Sequence, residues 1–362
     1  MRNVNLWALV LALVLALGVA GGAAGALPPA PRSCVVVTDF VSNDGTADVS
    51  AAIQKVIDTH PNRTIYFPDG VYLLARPIAT PADPKKSVDL QLANFATLRA
   101  MPGWAHAEAM VRLGGIHPKN DIGTPGSNYS FTGGIVDGSG VARGISIDSG
   151  RETRVENVSM KNVHVGLWIK HGANSGSSDC DILNVNIVGT GATDSIGVLV
   201  EGYDNTLANM RIANVYVGVK LVGGGTFLRN IHPLFTGRWA DFEKSVGFLD
   251  LGSDNTYQDC YSDQFSTGYA FLRGNRSVLN NCIAWWYAKD PSRRHTAFRS
   301  EGRFEAMVTN PLIGFSGREA VNTVLDVKTL GGKGFLRDVR MNESLVNDPA
   351  RADRPYLQGA VH

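Results

Sequence analysis

Two stretches concentrate side chains able to do acid–base chemistry. TGRWADFEKS begins at Thr236 and WWYAKDPSRRH begins at Trp285. With their neighbours they offer the carboxylates Asp194, Asp241, Glu243 and Asp263. They add the cations Arg238, Lys244, Arg293 and Arg294, and the aromatics Trp239, Trp285, Trp286 and Tyr287. Hydrolysis of a glycosidic bond needs two carboxylates about 5 to 9.5 Å apart. Elimination beside a uronate carboxylate needs a base such as Tyr, His, Arg or Lys, and a cation to steady the developing charge. Arg211, His232 and Tyr261, with Asp263 two residues beyond Tyr261, form a set of that second kind.

Such residues need a frame, and the frame is a repeat. A Gly followed seven residues later by Asn or Asp recurs as Gly150–Asn157, Gly202–Asn209, Gly223–Asn230, Gly252–Asp259, Gly274–Asn281 and Gly331–Asp338. Gly302–Asn310 has one extra residue and Gly172–Asn184 carries an insertion. Eight units with periods of about 21 to 30 residues define a solenoid. The segments before each Gly, such as GVLVEG and GVKLVG, alternate as half-buried strands do. After each Asn or Asp, Val158, Val185, Met210, Ile231, Cys260 and Cys282 take one inward position. Met160, Ile187, Ile212, Pro233, Ser262 and Ala284 take the next.

The Gly is expected to mark a turn with positive φ. The Asn/Asp column marks a second turn, because these residues tolerate the left-handed region and bond locally. The expected fold is therefore all-β, a single-stranded right-handed parallel β-helix whose stacked Asn side chains form a ladder. Cys260 and Cys282 fall about 4.8 Å apart on adjacent coils, as stacked thiols or as a bridge. Extra residues enter one connection, between the strand after Asn and the strand before Gly, which marks a side of variable loops.

The segment VTDFVSNDGTADVSAAIQKVIDTHPNRTIYFPDGVYLL, from Val37, reads as a helix capped by Asp48 or Ser50. That helix buries Ala52, Ile53, Val56 and Ile57. A strand, a Pro-Asp-Gly turn and a second strand follow. This segment, with FTGGIVDGSG at Phe131, resembles the N-terminal module and first coil of the pectate-lyase superfamily. The resemblance runs from Thr38 to about Val346. It implies a helix and a hairpin capping the open N-terminal end of the solenoid, and an action on carbohydrate. The Asn-Thr-Asp, Asp-Asp, Gly-His-Gly and Arg-Ile-Lys motifs of polygalacturonases are not present, nor is the Asp-Pro-His-Glu of alginate epimerases, so no catalytic residue carries over.

In polygalacturonase-like relatives the cleft is lined by residues entering the strand before Gly. The matching positions are His164, Asp194, Tyr216, Glu243/Lys244, Ser266 and Arg294/His295. We therefore expect Glu243, Asp194, Asp263, His295 and Tyr216 as catalytic candidates. Trp239, Trp285, Trp286, Tyr287, Lys244, Arg293 and Arg294 are expected to hold substrate along one groove. Asp194 and Glu243 lie two coils apart, roughly 9.6 Å by strand spacing. Asp148, Lys170 and Glu201 stack outward as an alternating charge ladder. Outward Leu249, Leu251, Ala270 and Leu272 imply loop cover or a subunit interface in a homo-oligomer.

The N-terminus bounds the compartment. One Arg precedes an apolar run from Leu6 to about Val19, and Ala24-Gly25-Ala26 follows as a cleavage site. Residues 1–26 are expected to be a signal peptide, 27–346 the β-helix with its cap over about 32–120, and 347–362 a tail. The protein is thus expected to be secreted or periplasmic, without a membrane span after leader removal. A net charge of +1 gives no nucleic-acid footprint. Four cysteines without paired or clustered spacing give neither a disulfide framework nor a zinc site, and no cofactor is expected. The expected partner is a polysaccharide or oligosaccharide. The expected activity is glycoside hydrolysis, with metal-independent uronate elimination and non-catalytic glycan binding as alternatives.

Overall fold

Alternation on either side of the Asn/Asp column gives the chain three faces. A computed structural model describes residues 34–114, 129–148, 150–171, 177–272, 275–287, 293–315, 322–329, 331–341 and 356–361. The first face holds strands ending at the column, such as Arg154–Glu156, Asp181–Leu183 and Thr256–Gln258. The second holds strands leaving it, such as Ser159–Val163, Tyr261–Asp263 and Ile283–Trp286. Thr206–Ala213 and Phe227–Leu234 run through the corner as single strands and join the two faces. The third face is a ten-stranded sheet from Ile78–Ala79 to Asn322–Thr329. Neighbouring strands in the faces pair in parallel, one coil onto the next. Cys34–His362 forms one compact unit.

The inward columns are as expected. Val158, Val185, Met210, Ile231, Cys260 and Cys282 are buried, and so are Met160, Ile187, Ile212, Ser262 and Ala284 two residues on. Opposite them, Gly144, Gly166, Gly197, Gly218, Gly247 and Gly268 begin successive strands of the third face. A Cβ on Gly218 would strike the Gly247 carbonyl and the Pro233 ring. The solenoid is too narrow at this corner for side chains from both faces.

The corner itself is an amide ladder. Asn157, Asn184, Asn209, Asn230, Asp259, Asn281 and Asn310 all have φ between 52° and 57°. Asn184 Nδ2 donates to Asn157 Oδ1 at 3.2 Å, Asn209 to Asn184 at 3.2 Å, and Asn230 to Asn209 at 3.0 Å. Above Asp259 the ladder resumes, with Asn281 donating to Asp259 at 3.3 Å and Asn310 to Asn281 at 2.6 Å. Asp259 has no side-chain N–H to pass down to Asn230, so the two runs meet there without a bond.

Four expectations are corrected. Gly150, Gly202, Gly223 and Gly252 do not have positive φ; that conformation falls two residues later, at Glu152, Asp204, Gly225 and Asp254. These glycines are small because the coils touch there: a Cβ on Gly223 would meet the Gly202 carbonyl, and one on Gly252 the Gly223 carbonyl. Arg63–Phe67 and Gly70–Leu74 are not a hairpin. They pair in parallel with Val88–Leu92 and Ala96–Ala100, so the Pro-Asp-Gly turn is a corner between faces. The stretch expected as a separate cap thus supplies the first coils, ahead of Phe131. The expected tail also contains Leu357–Val361, which pairs with Phe335–Met341.

The helix spans Ser50–Thr59 and buries Ile53, Val56 and Ile57. Asp48 caps it by accepting from the Ser50 N–H at 2.9 Å and from the Ser50 hydroxyl, and it also accepts from the Ala75 N–H at 3.0 Å. Cys260 and Cys282 are buried free thiols. Their Sγ atoms face the Leu228 and Tyr257 carbonyls at 3.7 and 3.8 Å, and burial pushes the Cys260 thiol well up. Among the described residues no helix is long and apolar enough to cross a membrane, and no group of three His, Cys, Asp or Glu side chains could hold a metal. The expected signal peptide lies outside the described residues.

Candidate active site

The outward side of the second face builds the site. Arg211, His232, Tyr261 and Ile283 take one outward position on consecutive coils, and Ala213, Leu234, Asp263 and Trp285 the next. The His232 and Tyr261 rings stack at 4.2 Å with an interplanar angle of 9°. His232 Nε2 lies 3.2 Å from Asp263 Oδ2, diagonally across one coil. The contact pairs an imidazole nitrogen with a carboxylate oxygen, which when ionised can only accept. The Tyr261 hydroxyl is 3.0 Å from the Tyr287 hydroxyl.

Asp263 points outward yet its side chain is only 5% exposed, against 27% for His232. Leu234 flanks it on one coil and Trp285 on the other. Its second oxygen, Oδ1, is buried and meets no hydrogen-bond donor among the described residues. Burial pushes the Tyr261 phenol above the ordinary tyrosine range; the Tyr287 hydrogen bond and the Asp263 charge push the same way. The arrangement is an oriented imidazole beside a proton-holding phenol, fit to take one proton and give another.

The expected residues divide between this face and the loop edge. Asp263, Trp285 and Tyr287 come together here. Tyr216, Trp286 and His295 do not line a groove, which corrects that expectation: each is 0 to 1% exposed. Tyr216 packs with Phe235, Phe242 and Phe265 in a cluster of its own. The His295 ring touches Phe242 and Trp286, whose Nε1 donates to the Phe265 carbonyl at 2.6 Å. The loops fold over the edge positions and turn these aromatics into their own core.

Glu243 joins two loops, accepting from Ser266 Oγ at 3.2 Å and from the Arg294 N–H at 3.3 Å. Asp194 is 77% exposed and lies 3.4 Å from His164 Nε2. Lys244 pairs with Asp241 at 2.8 Å, and the Arg293 guanidinium lies 5.9 Å from the Phe242 ring. Trp239 opens the short helix Trp239–Lys244; its side chain lies outside those described. Glu243 is thus engaged by Ser266 and Arg294, Asp194 by His164, and Asp263 by His232. Further along the same edge, a polar groove of about 410 Å³ is lined by Arg99, Asp137, Asn162, Thr190 and Asn214.

A second cluster was legible only as a charge ladder. On the third face, Asp148 is buried and accepts from Arg112 Nε at 2.7 Å, Lys170 Nζ at 2.9 Å and Ser146 Oγ at 2.6 Å. Arg143 and Lys170 lie 4.9 and 4.4 Å from the Trp168 ring centre. Trp168 sits at an outward position of GLWIK, and that alternation was the signal for it.

The chain is a parallel β-helix with a His–Asp–Tyr cluster on one outer face. Residues 35–237, more than half of the chain, match the family model described as rhamnogalacturonase A/epimerase, pectate lyase-like. The chain belongs to that family. No curated protein matches it in sequence. Among solved structures it is similar to the catalytic domain of a GH87 α-1,3-glucanase in complex with tetrasaccharides, at 13% identity and a TM-score of 0.59. That match covers 92% of this chain and 69% of the other. It is similar to the hyperthermoactive exopolygalacturonase from Thermotoga maritima, at 14% identity, a TM-score of 0.54 and 92% of both chains. An Acinetobacter phage tailspike is similar at 10% identity and a TM-score of 0.55, over 89% of this chain and 65% of the other. At these identities the likeness shows the fold alone.

Proposed function

We propose that the protein is carbohydrate-active and cleaves an acidic polysaccharide by β-elimination at the His232–Asp263–Tyr261 cluster. The observation that carries this reading is the 3.2 Å His232–Asp263 contact beneath a stacked Tyr261. Asp263 holds the imbalance of charge that forms when His232 takes the proton from the carbon beside the uronate carboxylate. Tyr261 gives its hydroxyl proton to the departing glycosidic oxygen. The C–H and C–O bonds break, a carbon–carbon double bond forms, and His232 returns its proton to water. Arg211, exposed on the coil before His232 and bonded through Nη1 to the Met210 and Asn230 carbonyls, is the cation we assign to the substrate carboxylate.

Family membership supports an action on carbohydrate, and Arg211 on the same outer face as the cluster favours an acidic chain. Hydrolysis, the expectation from sequence, is less well supported because Glu243 is held between Ser266 and Arg294 and Asp194 lies beside His164. Export follows from the leader at residues 1–26 and is part of the proposal; the mass of the mature protein would test it. The activity test is a digestion panel of acidic polysaccharides. Elimination leaves a conjugated, ultraviolet-absorbing uronate at the new non-reducing end. New reducing ends without that absorbance would establish hydrolysis instead, and binding without turnover would leave a glycan-binding protein.

A further inference from the structure

Tyr287 has no part in the scheme above, yet it closes a chain of hydroxyls to solvent. It follows the strand Ile283–Trp286 and is 56% exposed, whereas its partner Tyr261 is half-buried on the preceding coil. The hydroxyls are 3.0 Å apart. The contact is held from the backbone. Gln264 sits at φ 67°, where its N–H donates to the Trp285 carbonyl at 2.9 Å and its Oε1 accepts from the Tyr287 N–H at 3.0 Å. A side chain in the left-handed region thus clamps the loop end that presents Tyr287.

We propose that Tyr287 is a positioning residue that returns a proton from solvent to Tyr261 after each turnover, with Gln264 holding it in reach. This rests on the elimination reading for its place in catalysis. After Tyr261 has protonated the leaving oxygen it is a phenolate. Tyr287 O–H transfers its proton across the 3.0 Å contact, and water or buffer reprotonates Tyr287. Proton count and charge balance without any further reactant. The groups facing Tyr261 are His232 from the coil below, Asp263 from its own strand and Tyr287 from the coil above, with Arg211 one coil beyond His232. Burial and the Asp263 charge both disfavour the Tyr261 phenolate, so its recharging is downhill toward a solvent-facing partner.

The test has two arms. In the free protein, with tyrosines labelled at the ring carbon bearing the hydroxyl, NMR titration follows Tyr261. Tyr287→Phe removes one oxygen and keeps the ring. The ionisation of Tyr261 is expected to shift from its wild-type position as the 3.0 Å contact is lost, and an unmoved Tyr261 overturns the proposal whatever the protein's activity. In the second arm Tyr287→Phe is assayed on an acidic polysaccharide that the wild type cleaves. Turnover is expected to fall about tenfold, with KM unchanged and with recovery as imidazole buffer is added. A loss that buffer does not restore overturns the relay. A moved Tyr261 in a protein that cleaves no acidic polysaccharide would retain the contact, but overturn both the elimination reading and the relay's place in it.

Discussion

His232 and Asp263 are 31 residues apart, yet His232 Nε2 lies 3.2 Å from Asp263 Oδ2. Their coils are adjacent and the contact is diagonal: the partner directly across from Asp263 is Leu234. Asp263→Asn replaces the accepting carboxylate by a neutral amide without changing its shape. Turnover of a cleaved polysaccharide is expected to fall at least about a hundredfold, and His232→Gln should do the same. Circular dichroism and thermal midpoint should remain near wild type. Undiminished turnover in both variants would remove this cluster from catalysis.

The core predicts its own failures. Ile231 is fully buried, and Ile231→Asp would place an unpaired charge there at a cost of several kcal/mol. The variant is expected in the insoluble fraction; a soluble protein with native circular dichroism would contradict the inward column. Gly218→Ala is milder. Its methyl would press on the Gly247 carbonyl and the Pro233 ring, at a cost of about 1–3 kcal/mol, readable as a lower urea midpoint.

The amide ladder is interrupted where Asp259 meets Asn230. Asp259→Asn supplies the missing N–H and lets the two runs join. We expect stabilisation of about 1 kcal/mol, seen as a raised thermal midpoint. Asn209→Asp, which breaks the lower run, should lower it.

Acid should loosen the N-terminal helix. Burial raises the Asp48 pKa, but the hydrogen bonds from Ser50 and Ala75, with the Arg76 charge, outweigh it and leave the carboxyl below its usual 3.8. A depressed folded pKa contributes stability that is full above the unfolded value and lost as pH falls through the folded one. The difference in thermal midpoint between wild type and Asp48→Ala should therefore be constant near neutrality and shrink below about pH 3.8. A difference that persists unchanged in stronger acid would mean that Asp48 acts through packing rather than its charge.

The sequence by itself determined the coil. A seven-residue interval between a close-contact Gly and a left-handed Asn or Asp repeats because every coil meets the same two constraints. Period-two alternation then assigns Val158, Met210 and Ile231 to the inside. The second glycine column, Gly166 to Gly268, stood in the same quoted segments; its meaning depended on the opposite face, which brings Pro233 and Ser262 close. Tertiary structure alone decided the site. Alternation places Asp263 outward but cannot show that its side chain is only 5% exposed. Register between coils depends on loop lengths that vary from unit to unit, so the diagonal contact with His232 was not readable from spacing. The edge residues were the hardest case. Tyr216, Trp286 and His295 enter the edge just as Glu243 does, and only the path of the covering loops made three of them core and left Glu243 a clasp. Local chemistry repeats along a solenoid and is written in the sequence; contacts across coils and under loops are set by packing, which has no period to read.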